Sequence, residues 1–161
     1  MVLIKESVHM ATGSTSRPKV SAIPAGFHSV TPYLVVSHAD QVLQFVKRAF
    51  GAHEVMAHRG PDGSVMHAEA RIGDSIVMMG SGGPGAKPRP GSIYVYVPDV
   101  NSTYKAALGA GAKSVQEPKD QPYGDRNACV EDSAGNHWFI ATHIEDVSTE
   151  ELNRRMAAQK N

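Results

Sequence analysis

The stretch SVMHAEARIGD, residues 64–74, alternates small or apolar side chains with polar ones: Met66, Ala68, Ala70 and Ile72 against His67, Glu69 and Arg71. Period-two alternation is the signature of a strand with one face buried. The turn GPDGS (60–64) precedes it, a Pro-Asp-Gly hairpin signal, and the tight turn GD (73–74) follows. HEVMAHR (53–59), VMHAEARI (65–72) and SIVMM (75–79) therefore read as three antiparallel strands.

Ahead of these lies another strand, VTPYLVV (30–36), and then a helix. Ser37 and Asp40 have the spacing of a capping box. Val42, Phe45, Val46 and Ala49 fall at i, i+3, i+4 and i+7, and Gly51 ends the stripe. After GSGGPGAKPRPG (80–91), a linker on composition, the order returns. SIYVYV (92–97) is a strand, Val100, Tyr104, Ala107 and Leu108 form a helical stripe, and GAGAKSV ends that helix and opens a strand. NACVEDSAGNHWFIAT (127–142) then reads strand, turn, strand. Two copies of β-α-β-β-β, roughly 60 residues apart, form an internal duplication supported by element order, turns and helix stripes together.

The flanks are simpler. Residues 1–22 are rich in Ser, Thr, Gly and Pro and lack the charged-then-apolar order of a secretory signal, so a flexible leader is expected. Ser148 and Glu151 make another capping box for a terminal helix over about 148–159, with Leu152 and Met156 on one face, available to pack on a partner subunit.

Totals exclude several functions. The 16 basic and 16 acidic side chains cancel, so no basic nucleic-acid-binding face is expected. The apolar runs fall far short of the ~20 residues of a membrane span. The single cysteine, Cys129, excludes an intrachain disulfide and a cysteine-only zinc site, and it reads as a small core hydrophobe. A cytoplasmic location is the expectation. The glycines in GPDGS and GSGGPG lack the strand-to-helix setting of a nucleotide loop, and no Gly-x-Ser-x-Gly motif is present.

TPYLVV, KRAFGAHEV, MHAEARIGDSIVMM, YVYVPDV, PYGDRNACVEDSAGNHWFIATHIEDV and STEEL resemble the vicinal oxygen chelate superfamily, which includes glyoxalase I, extradiol dioxygenases, fosfomycin-resistance enzymes and bleomycin-binding proteins. The nearest likeness is to its PhnB-like, glyoxalase-like branch, across nearly the whole of residues 23–161. The resemblance implies an α+β fold of two tandem βαβββ modules, about 28–80 and 92–145, forming a half-open barrel-like cavity with helices outside. The cavity wall would then be Thr31, Tyr33, His67, Glu69, Met78, Ser92, Tyr94, Tyr96, Asn127, His137 and Phe139, joined by Val35, Arg71, Ile76, Asp125 and Cys129. Trp138 would pack beneath the helix of its own module.

Metal-using members of the superfamily place His, Glu or Gln on the first and last strand of each module. The matching positions here are Thr31, Met78, Ser92 and Phe139, which are not usual metal ligands. No cofactor is therefore expected. A relocated divalent-metal site at His67 and Glu69, with His137 or His28 as a third ligand, is the alternative. Otherwise His67 and Glu69 hydrogen-bond each other or a ligand, or Glu69 pairs with Arg71 or Arg126. Three functions remain: a small-molecule-binding protein, a metal-dependent lyase, isomerase or dioxygenase-type enzyme, and a regulatory dimer with a vestigial cavity. The resemblance also implies a homodimer, which the linker would permit to form with swapped modules.

Overall fold

A computed structural model describes residues 20–158, so most of the expected leader (1–19) and the last residues (159–161) lie outside the described residues. Module one contains β1 (Tyr33–Val35), α1 (Ala39–Phe50), β2 (His53–Arg59), β3 (Val65–Ile72) and β4 (Ser75–Gly80). Module two repeats it with β5 (Ser92–Tyr96), α2 (Val100–Gly109), β6 (Lys113–Asp120), β7 (Asp125–Glu131) and β8 (His137–His143), and α3 (Thr149–Ala158) follows. The sheets run β1-β4-β3-β2 and β5-β8-β7-β6, with the first pair of each parallel and the rest antiparallel. This is the expected α+β duplication, and the two sheets are not closed into a barrel.

The core lies between the sheets and their helices. Val42, Phe45, Val46 and Ala49 of α1 are buried against Leu34, Ala68, Ala70 and Met79. Gly51 closes α1 in the left-handed conformation, φ 63, which glycine adopts without a Cβ penalty. In α2, Val100, Tyr104 and Ala107 are buried, but Leu108 turns outward instead of completing the stripe.

Two local expectations are corrected, and a third gains a contact. The cap of α1 is His38, with no side-chain bond; its carbonyl accepts from the Gln41 and Val42 amides, because the helix begins one residue later than a Ser37 cap requires. Met66 is 45% exposed and Val65 is buried in its place, because a register shift between His58 and Arg59 changes the alternation at the start of β3. Trp138, wholly buried, packs on Phe45 and Phe50 of α1, at 5.8 and 5.2 Å between ring centroids. It joins the modules, sharing the core with Val100, Tyr104 and Ala107 of α2 as well.

The terminal helix begins as expected, with the Glu151 amide donating to Ser148 Oγ at 3.2 Å. None of its residues is buried. Arg155 ties it down, donating to both Glu145 carboxylate oxygens at 2.8 and 2.7 Å and to Glu151 at 2.7 Å. Among the described residues, no helix is long and apolar enough to cross a membrane.

Candidate functional site

Strand alternation places Tyr94 and Tyr96 on the face of sheet two away from the helices, and the β5–β8 register sets Tyr94 opposite Phe139. Their rings are parallel to within 10°, with centroids 6.1 Å apart, and Tyr96 lies 5.2 Å from Tyr94. Both phenols turn toward β7, where Asp125 Oδ2 accepts from Tyr94 at 2.9 Å and from Tyr96 at 3.0 Å. Asp125 is only 3% exposed. Its other oxygen lies 2.8 Å from His143 Nδ1, and His143 Nε2 lies 3.1 Å from Asp146. A carboxylate at each ring nitrogen favours the imidazolium, which donates from both nitrogens, over either neutral tautomer.

The titrations follow from these contacts. Burial pushes the Asp125 carboxyl up, but the bonds from His143, Tyr94 and Tyr96 outweigh it and hold it below the ordinary value. The bonds to Asp125 and Asp146 raise His143. Burial raises Tyr94 strongly, and the bond to Asp125 raises Tyr96, so both remain neutral phenols.

Asn127 organises the adjoining patch. Its Oδ1 accepts from Gln116 and Gln121, each at 2.9 Å, and its Nδ2 donates to Tyr123 at 2.8 Å and to Tyr94 at 3.3 Å. No buried side-chain nitrogen or oxygen among the described residues lacks a partner. The network is thus fixed before any ligand arrives. It holds three tyrosines and Phe139 as a partly exposed aromatic surface over a buried carboxylate.

Sheet one carries the equivalent positions. Tyr33 pairs with Met78 in register as Tyr94 pairs with Phe139, and His67 and Glu69 stand where Asn127 and Cys129 stand in module two. The Tyr33 and His67 rings are 5.6 Å apart. Gly80 makes this possible, since a Cβ there would lie 2.9 Å from the Tyr33 hydroxyl and 2.6 Å from the Met66 carbonyl oxygen. His67 Nε2 and Glu69 Oε1 approach to 3.5 Å. Glu69 pairs with neither expected arginine: Arg71 donates to the Gly26 carbonyl, and Arg126 meets Asp120 at 2.6 Å.

The chosen residues therefore fall on two faces. Thr31, Glu69 and Met78 line a cavity of about 470 Å³ on sheet one. Tyr94 and Tyr96 line another, of about 340 Å³, at the seam with Val30, Pro32 and Ser75 of module one. Ser92 stands at the end of the aromatic face, paired in register with His137. His137 turns to Glu131 of its own sheet at 3.5 Å, and His28 meets Ser75 at 3.4 Å. Among the described residues, no three His, Cys, Asp or Glu side chains are arranged to hold a metal ion. Nor do Thr31, Met78, Ser92 and Phe139 fit a divalent metal, since Phe139 has no donor and Met78 offers only a soft one.

Sequence reasoning placed Asp125 on the inner face without its central role, and gave no site role to His143, Tyr123, Gln116 or Gln121. The available signal was the i, i+2 placement of Asp125 and Asn127, facing the equally spaced Tyr94 and Tyr96.

The family model described as the Glyoxalase/Bleomycin resistance protein/Dioxygenase superfamily matches residues 26–140. The uncharacterized protein Mb0911c of Mycobacterium bovis is 34% identical over 142 residues, covering 81% of this chain and 93% of that protein. Among solved structures, TioX from Micromonospora sp. ML1 superposes with a TM-score of 0.60 at 26% identity, covering 71% of this chain and 96% of that one. TnmS3, an antibiotic binding protein from Streptomyces sp. CB03234, gives 0.59 at 19% identity, with 77% and 99% covered.

Proposed function

Because the chain belongs to the Glyoxalase/Bleomycin resistance protein/Dioxygenase superfamily, we propose that it is a small-molecule-binding protein that holds its ligand without a metal. One observation carries this reading. Tyr94, Phe139 and Tyr96 form a partly exposed aromatic row whose hydroxyls are already committed to the buried Asp125. An aromatic face with a few fixed polar groups is the usual composition of a ligand pocket, and preorganisation lowers the cost of binding. That TnmS3 is an antibiotic binding protein agrees with this use of the fold, which by itself fixes no function.

The ligand would complete its enclosure in a homodimer. In one chain Tyr94 and Tyr96 border a cavity at the seam between the modules, while Thr31, Glu69 and Met78 border a separate one on sheet one, and a second copy would set module one of one chain over module two of the other. Such a cytoplasmic dimer would sequester its ligand rather than transform it.

The test is a fluorescence titration with the naphthalene dye ANS as probe. Wild-type protein should bind it saturably, and Tyr94→Ala or Phe139→Ala should weaken binding about tenfold or more, the scale of one well-packed aromatic anchor. Non-saturating fluorescence, or equal affinity in both variants, would contradict the proposal.

A further inference from the structure

The chain leading into β1 does not run off into solvent. Ala22, Ile23, Pro24 and Phe27 form one wall of the 470 Å³ cavity on sheet one, facing Thr31, Glu69 and Met78 across it. We propose that residues 22–29 are a releasable flap over this half of the binding site, latched to the sheet by Arg71. What lies beneath rests on the ligand-binding reading above; the latch itself does not.

The flap has its own local structure. The Phe27 amide donates to the Pro24 carbonyl at 3.1 Å, closing a turn in which Gly26 has φ 81. Thr31 Oγ1 donates to the His28 carbonyl at 3.1 Å. This segment forms no strand ladder with sheet one. The direct polar ties are long and exposed: Arg71 Nη1 to the Gly26 carbonyl at 3.3 Å, and the His28–Ser75 contact at 3.4 Å. Ile23 remains 42% exposed, so little apolar burial adds to them. A segment held by few exposed bonds opens at low free energy compared with the core.

Arg71 suits a latch because it has a second acceptor. Its Nη1 also lies 3.5 Å from the Asp74 carbonyl, so release of Gly26 leaves that donor a partner. Gly26 is required by its φ, which disfavours side chains, and a Cβ there would stand 2.6 Å from Arg71 Nη2 and displace the guanidinium from the Gly26 carbonyl. Beneath the flap, Glu69 lines the cavity together with Phe27, Ile23 and Met78, its carboxylate 3.5 Å from His67 Nε2. The chemistry selects a guest with an apolar body and one cationic or hydrogen-bond-donating end directed at Glu69.

The experiment compares the full chain with Arg71→Ala and Gly26→Ala, by hydrogen exchange of the peptide spanning 22–31 and by stopped-flow release of ANS. Both variants should speed exchange in that peptide about threefold or more while the β3 and β4 peptides stay unchanged. Both should also release ANS severalfold faster. Gly26 lies outside the sheets, so its variant reports on the flap even if Arg71→Ala disturbs β3. Equal exchange at 22–31 in all three proteins overturns the latch. Faster exchange with unchanged ANS release overturns the flap as a wall of the site. If wild-type protein fails to bind ANS, the ligand-binding reading falls, and the exchange comparison still decides the latch.

Discussion

Asp125 and His143 meet at 2.8 Å, a buried carboxylate on β7 against a half-exposed imidazole at the end of β8. The pair anchors the aromatic row, because the same carboxylate receives the Tyr94 and Tyr96 hydroxyls.

Its pH dependence has two limbs. The depressed Asp125 stabilises the fold above its ordinary value, about 3.9, and that contribution is lost as pH falls through its folded value. The raised His143 contributes fully below its ordinary value, about 6.5, and loses this as pH rises through its folded value. The pair should therefore add most to the melting temperature between about pH 4 and 6.5. Asp62, Asp99 and Glu145 share the acid limb, so the difference between wild type and Asp125→Asn is the informative quantity. That difference should peak in this window, and a pH-independent difference would contradict the assignment.

Trp138 should be the most sensitive core position between the modules. Its indole N–H donates to Asp132 Oδ2 at 2.9 Å while its rings contact α1. Denaturant unfolding should show Trp138→Ala losing about 3–5 kcal/mol through the cavity it leaves. Trp138→Phe should lose about 1–3 kcal/mol, because Asp132 forfeits a buried donor.

Gly124 should tolerate no side chain. A Cβ would stand 2.0 Å from the Glu145 carbonyl oxygen, at φ 93. Gly124→Ala should cost about 2 kcal/mol or more in thermal unfolding, the range of backbone strain combined with a forced shift. It should also loosen α3, whose anchor Arg155 bonds both Glu145 and the Pro122 carbonyl. Faster exchange across residues 149–158 would show this.

Cys129 should be inert in the folded protein. It is buried, and burial raises its thiol. A chromogenic thiol reagent should react only on unfolding; rapid labelling of native protein would place the residue elsewhere.

The duplicated pattern was legible because alternation and helix stripes are written in neighbouring residues. His67 with Glu69, Tyr94 with Tyr96, and Phe139 fell on the inner faces by counting alone. Asp125 as a hub was not legible, because its partners come from β5 and the end of β8 and only the sheet register unites them. Met66 failed where the register shift broke the period. Trp138 fell on the helix face by alternation, but its contact with α1 of the other module was not legible, because alternation gives a face and not every helix that covers it. The flap was hidden for a related reason: its partners, Arg71 and Ser75, lie more than 40 residues along the chain.

The most direct test is a calorimetric titration of ANS into chelator-stripped protein, repeated after one equivalent of Zn²⁺ is restored. The account predicts the same saturable isotherm in both, since the aromatic row over Asp125 needs no ion to form. Dye binding that appears only with the metal would contradict it.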